Sequence, residues 1–501
     1  MPQENRPQRR RPDSQRRSKG ARPTNAQRRQ STVQAGPRTQ RPQSRPQARQ
    51  QRPAHAAHMH GQAPKRSAAL PIVSIVLALV FVGLLVFFLL RACNKGGDAA
   101  SGQGAAGGNT QQAQGQGNTE GGTAAAGKAA DGSVDINLLM VGDILFHYQV
   151  RQSGLQSDGT RNYDHVFAHI QGELKDKDIK VLNQETPLGG NVYTGTAPDG
   201  YDGYPEFNGP QEMGDAEAKA GFNVALKATN HAMDNSGNFD DPYTLVRSEQ
   251  NFWATKHPEM NVIGEANPDN KNASADDVYV FEKDGFKVAL LNYTQDLNGN
   301  ESHDKQGLVS MLEEEHVKKT VEKAHELADM VVVFPHWGEE YSTEPVEMQK
   351  EWAKKFADLG VDVIIGNHPH VIEPVTVVEG PNGKKVPCYY STGNFISTSP
   401  SNESLVGGIA EVTLHKDANG SCSVTSAEFK PVISHLGLTT DMTTYLIKDW
   451  TDELAASNSL NTDVNPNTDN TSLTPTWANE FCAKVLGSGY DAKTGVYKLE
   501  L

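Results

Sequence analysis

The chain has 501 residues, 47 Lys/Arg against 61 Asp/Glu, and a formal charge of −14. Its four cysteines include no C-x-x-C pair, which argues against a disulfide scaffold and against zinc–thiolate chemistry. The charge is segregated: residues 1–66 hold 17 basic and 2 acidic residues, whereas residues 97–501 hold 28 basic and 59 acidic, and that acidic balance excludes nucleic acid as an obvious ligand of the larger part.

Residues 1–67, mostly Gln, Pro, Ser and Arg, cannot bury enough apolar surface to offset chain entropy, so they read as a disordered basic arm. Residues 68–90 carry no charge. In a helix they would span about 35 Å, enough for a bilayer's hydrocarbon core, so a transmembrane helix is expected. The stretch is too long for a cleaved signal peptide, starts too far into the chain and lacks a small-residue cleavage site. Arg91 also stands where a lipoprotein signal before Cys93 would need a small or apolar residue. With the basic arm on its N-terminal side, the positive-inside rule puts the arm in the cytoplasm and the main domain outside the cell membrane. Residues 91–133, dominated by Gly, Ala, Gln, Asn and Thr, read as a flexible linker. Beyond it, a Cys388–Cys422 or Cys422–Cys482 disulfide stays open on sequence grounds.

From residue 134 short apolar runs alternate with helical patterns. INLLMVGDILFH (136–147) reads as a buried strand with a polar end. Residues 210–220 read as a helix with Pro at its start and Gly221 at its stop, and FNVALKATNHAMD as a strand running into a loop. Residues 312–328 and 345–359 predict two further helices, each followed by a buried strand, DMVVVFPH and VDVIIGNHPH. Residues 386–397, 407–415 and 422–432 look β-rich. Helix-then-strand repeats of this kind imply an α/β domain over 134–437. Residues 438–501 read as a C-terminal helical extension packed on it.

Polar clusters fall at one recurring place, immediately after each apolar strand. Asp143 and His147 follow INLLMVG; Asn183 and Glu185 follow KVL; Asn230, His231 and Asp234 follow ALKAT. His336 follows VVVFP, and His368 and His370 follow VIIGN. In open α/β sheets the ligand crevice lies outside the carboxyl ends of the strands, where these clusters would converge. In an extended segment His368 and His370, two apart, would point the same way. Nitrogen and oxygen donors without thiolate suit Mn, Fe or Zn, and a shared carboxylate suits two ions. Taken singly, each cluster has an ordinary reading: Asp143 as a cap, Asn183 in an Asx-turn, His231 as a hydrogen-bonded structural histidine.

GDILFH, LNQETPL, FNGPQE…AGFNVALKATNHAMDNSG, DMVVVFPHWGEEY, GVDVIIGNHPHVIEP and YSTGNF, in that order, resemble the motifs of the capsule-synthesis CapA family. That family is associated with poly-γ-glutamate capsule formation. The resemblance implies a metallophosphoesterase-like α/β/β/α sandwich holding two divalent ions. It implies Asp143, Asn230, His336, His368 and His370 as ligands, Glu185 as the bridging carboxylate, His231 as the group that protonates the leaving oxygen, and Asp234 as its orienter. His147 would be a further ligand, although the spacing is Asp-x-x-x-His where the related enzymes have Asp-x-His. Glu373 sits where a glutamine is common. The implied partners are the membrane, capsule-polymer synthase subunits and a polymer or phosphoester substrate. Two other readings stand beside it: a nonenzymatic polymer-binding or scaffold subunit, and a general surface metallophosphatase or nucleotidase.

Overall fold

Apolar β-branched runs produce sixteen strands among the described residues, which in the computed structural model are 129, 131–437, 441–459 and 472–501. The basic arm, the apolar span 68–90 and most of the expected linker lie outside them. Among the described residues no helix is long and apolar enough to cross a membrane.

In chain order the strands are β1 (Val134–Ile144), β2 (Ile179–Asn183), β3 (Val224–Leu226), β4 (Asn261–Ile263), β5 (Tyr279–Lys283), β6 (Phe286–Thr294), β7 (Met330–His336) and β8 (Val363–Ile365). They continue with β9 (Val375–Glu379), β10 (Lys385–Tyr389), β11 (Asn394–Ile396), β12 (Val406–Lys416), β13 (Cys422–Leu436), β14 (Met442–Leu446), β15 (Tyr490–Asp491) and β16 (Val496–Lys498). They form two mixed sheets. The first runs β15-β16-β13-β12-β1-β2-β3-β4, with β11 added on β1 and β14 on β13; the second runs β5-β6-β7-β8-β10-β9. Each has a parallel centre, β1 to β4 in the first and β6, β7, β8 and β10 in the second.

The period-2 alternation of strands sorts the core into layers. Ile136, Leu138 and Met140 of β1 join Val288 and Leu290 of β6 and Met330 and Val332 of β7 in one cluster between the sheets. Leu139 and Val141 face the other way, against helices α1 (Glu212–Ala220) and α2 (Thr244–Lys256). Leu291, Val331 and Val333 of the second sheet pack on α3 (Glu314–Leu327) and α4 (Glu347–Asp358). The fold is therefore α/β, with helices on the outer faces of two sheets packed together. Burial of each such aliphatic side chain contributes about 1.5–3 kcal/mol.

The helix ends follow the expected chemistry. α1 starts two residues after Pro210 and stops at Gly221, whose φ of +101° accepts the left-handed turn. α3 buries Val317, Val321 and Ala324, spaced i, i+4, i+7, as an amphipathic helix requires.

The C-terminal region departs from its helical expectation. Residues 442–446 form β14 against β13, and β15 and β16 extend the same sheet; among the described residues there only α5 (Pro475–Leu486) is a long helix. MTTYL is too short to specify a period, so the open edge of β13 decides its conformation. Phe481, Cys482 and Leu486 of α5 enter the cluster between the sheets. Neither disulfide left open by the sequence forms: Cys388, Cys422 and Cys482 are free.

Candidate metal centre

The strand register gathers the polar clusters. In the parallel ladders Asp143 of β1 stands opposite Asn183 of β2 and Asn394 of β11, and His336 bridges to Asn367 beyond β8. A Cβ on Gly142 would lie 2.0 Å from the Gly393 carbonyl oxygen. Glycine there lets β1 come close enough for the Asp143 N–H to donate to that carbonyl at 2.9 Å.

Asp143 is fully buried. Its Oδ1 accepts from the side-chain amides of Asn183 and Asn367, each at 2.7 Å, and its Oδ2 lies 3.1 Å from His370 Nδ1. Thr392 Oγ1 donates to Asn367 Oδ1 at 3.0 Å and fixes that amide. Asn394 Oδ1 lies 3.2 Å from His370 Nδ1, while its Nδ2 donates to the His370 and Ser404 carbonyls.

Glu185 is equally inaccessible, yet neither of its carboxylate oxygens has a hydrogen-bond partner. Oε1 faces three imidazoles: His336 Nε2 at 3.5 Å, His370 Nε2 at 3.6 Å and His231 Nε2 at 4.0 Å. Asn230 Oδ1 lies 2.9 Å from His336 Nε2, which in turn lies 3.2 Å from His368 Nδ1. Among the described residues three groups have ligand atoms all within 4.8 Å of one another: Asp143/Glu185/His370, Glu185/His336/His368, and Glu340/His368/His370. The first two share Glu185.

The His-Pro-His segment is not extended. His368 and His370 both have positive φ, +101° and +59°, in a tight turn after β8. The imidazoles still converge, with ring centroids 5.9 Å apart, because the turn rather than the pleat aims them.

Electrostatics follow the crowding of charge. Burial opposes an ionised Glu185, but His370 and His336 prevail and hold its carboxyl below the ordinary range. Burial likewise opposes an imidazolium at His370, but Glu185 and Asp143 outweigh it and raise its pKa to about 9. Burial, then His336 and His370, push His368 well below its usual value. A cation placed among these groups would take over the role of the proton on His370.

His231 Nδ1 lies 2.6 Å from Asp234 Oδ2, which also accepts the Phe207 N–H at 2.6 Å. This leaves His231 Nε2 facing Glu185. Burial disfavours the His231 imidazolium, but Asp234 outweighs it and raises the pKa. Burial raises Asp234 as well, so the pair holds on to its proton.

His147 belongs to none of the three groups. The Thr398 N–H donates to its Nδ1 at 3.3 Å, and burial followed by the charge of His370 lowers its pKa to about 4. A neutral imidazole bound to metal through one nitrogen carries its proton on the other. With Nδ1 accepting, the proton of His147 sits on Nε2. The residue lines a cleft of about 510 Å³ with Tyr148, Arg151, Thr196, Pro198 and Tyr204, close enough to the centre for His370, Glu185 and His231 to act on its charge.

The structure thus brings Asp143, Glu185, Asn230, His336, His368 and His370 together, with His231 and Asp234 beside them. Sequence reasoning did not single out Glu340, Asn367 or Asn394, and it read Tyr341 as a packing residue that could also floor a pocket. All four lie within motifs quoted above, yet nothing in residue type separated the first three from ordinary loop residues. Tyr341 is exposed over 56% of its surface, its ring centroid is 5.9 Å from that of His370, and burial followed by Glu340 raises its phenol pKa, with Glu185 adding to the rise. Gln349 Nε2 donates to Glu373 Oε2 at 2.7 Å, and Glu373 Oε1 is buried without a partner.

A family model described as "Bacterial capsule synthesis protein PGA_cap" matches residues 137–399. The chain is 30% identical over 268 residues to the capsule biosynthesis protein CapA of Bacillus anthracis, covering 52% of this chain and 59% of that one. It is 28% identical over 207 residues to the PGA biosynthesis protein CapA of Bacillus subtilis (strain 168), covering 41% and 50%. The chain therefore spans between half and three-fifths of the length of these curated relatives. Among solved structures, the NAD nucleotidase NadN of Haemophilus influenzae aligns at 10% identity and a TM-score of 0.35, covering 59% of this chain and 50% of that one. That likeness is too slight to carry an argument.

Proposed function

We propose, from the premise that this chain belongs to the bacterial capsule synthesis protein PGA_cap family, that it is a membrane-anchored, extracytoplasmic metal-dependent hydrolase of capsule or envelope polymer synthesis. The observation that carries the metal centre is Glu185: a wholly buried carboxylate with two unpartnered oxygens, shared by two three-ligand groups. A bare buried carboxylate is costly, and a pair of cations would satisfy it. The donor set fits such a group. Asp143, Glu185 and His370 would hold one ion; Glu185, His336, His368 and the Asn230 carbonyl oxygen the other. We read the layered fold as the metallophosphoesterase-like sandwich that houses such pairs.

Two divalent ions, Mn, Fe or Zn, would supply a nucleophile from water at neutral pH and neutralise charge on a phosphoryl or carboxyl oxygen. The chain's own residues do the rest. Asn183 and Asn367 aim Asp143. Asp234 holds the His231 ring so that Nε2 faces the centre, in place to give a proton to a leaving oxygen or nitrogen. The substrate proposed is a phosphoester or an amide-linked polymer such as poly-γ-glutamate. The anchoring part of the proposal is supported by the uncharged stretch 68–90 and the basic arm before it.

The test is metal analysis and hydrolysis by the full-length protein in detergent. About two equivalents of Mn or Zn, with an aryl phosphatase or γ-glutamyl amidase activity that Asp143→Ala abolishes, is the expected result. Metal uptake without activity, together with capsule formation in cells carrying Asp143→Ala, would instead favour the polymer-binding subunit.

A further inference from the structure

Among the described residues eight non-glycine residues have positive φ, and seven are Asn, Asp or His, which tolerate that region. The eighth is Tyr341, at +65°. For a bulky aromatic residue this backbone is unfavourable, and such strain persists where surrounding structure enforces it. The enforcing contact is its N–H, which donates at 2.7 Å to the carbonyl of Pro369, the residue between His368 and His370. Packing into the core does not explain the choice of side chain, since the residue as a whole stays 56% exposed. Asn or Gly would make the same backbone hydrogen bond without strain. What tyrosine alone provides is an aromatic ring 5.9 Å from that of His370, carrying a phenol whose charge Glu340 and Glu185 both act on.

The geometry points to Tyr341 as a ligand-contacting residue of the metal centre, its phenolic O–H donating to an oxygen of a tetrahedral oxyanion. Such an oxyanion is either a phosphoryl group or the adduct of water with an amide carbonyl. The inference rests on the metal-centre reading above.

The test uses the full-length chain in detergent, wild type against Tyr341→Phe and Tyr341→Asn. Mn content is measured, inorganic phosphate affinity is read by calorimetry, and an aryl phosphate and a γ-glutamyl anilide are assayed. Tyr341→Phe is expected to keep its Mn content and lose roughly 10-fold or more in phosphate affinity, the worth of one hydrogen bond to a charged group. The probe whose turnover falls with it identifies the source of the oxyanion. Tyr341→Asn should lose the same binding yet raise the melting temperature of the chelator-treated protein by roughly 1–3 °C, because it relieves the backbone. A merely structural tyrosine would lower it. Mn uptake by wild type without phosphate binding, wild-type phosphate affinity in Tyr341→Phe, or a lower melting temperature in Tyr341→Asn overturns the proposal. No Mn uptake by the wild-type protein overturns the metal-centre reading, and this one falls with it.

Discussion

Several buried side chains around the centre hold a neighbour in place, and two residues show how sharply buried polar groups can be tested. Asn394 holds His370 by its carbonyl and Asn394 Oδ1 lies beside the His370 ring. Asn394→Ala should weaken metal binding by about 10–100-fold while leaving all six ligand residues gathered at the centre in place, a difference that competition against a metal indicator would resolve. Glu373 is pushed up to about 8 by burial. A carboxyl raised in the folded state keeps its proton where the unfolded chain releases it, so stability is full below about pH 4.5 and falls as pH rises towards 8. Glu373→Gln keeps the shape without the ionisation, and urea midpoints across that range should flatten; an unchanged slope would mean Glu373 is not the group responsible. At this scale the residues that converge on the centre were legible because each follows an apolar run. Asn367, Asn394 and Glu340 were not, because an amide or carboxylate in a loop looks the same whether it orients a ligand or faces water.

Local patterns place most elements correctly, and the exceptions have local causes. α1, α3 and α4 were foreseen within a few residues of their ends, since caps and 3.6-residue periodicity are properties of short windows. β14 was read as helix because five residues cannot declare a period and its partner, β13, is a tertiary fact. The left-handed turn at His368 and His370 escaped notice for the same reason. Where two elements touch without side chains, substitution should be severe. Gly142→Ala would drive a methyl group into the Gly393 carbonyl and part β1 from β11. A loss of about 1–3 kcal/mol in urea unfolding is expected, with metal affinity falling further than stability, because Asp143 is the next residue.

Across the whole molecule the C-terminal region belongs to the core. Phe481 is buried in the cluster between the sheets, so Phe481→Ala should cost roughly 3–5 kcal/mol, seen as a lower urea midpoint with unchanged slope. A small effect would show that α5 is a removable appendage. The layered α/β architecture was readable from alternating helix and strand patterns, whereas the order of strands within each sheet depends on pairings far apart in sequence. The six ligand residues gathered at the centre also divide by origin. The oxygen donors Asp143, Glu185 and Asn230 come from the first sheet and the nitrogen donors His336, His368 and His370 from the second, with exposed Glu340 as the exception. Neither half is a site without the other. The centre is thus a gauge of how two slabs are aligned, and a slip of one ångström along their interface would empty it of function while circular dichroism recorded no change.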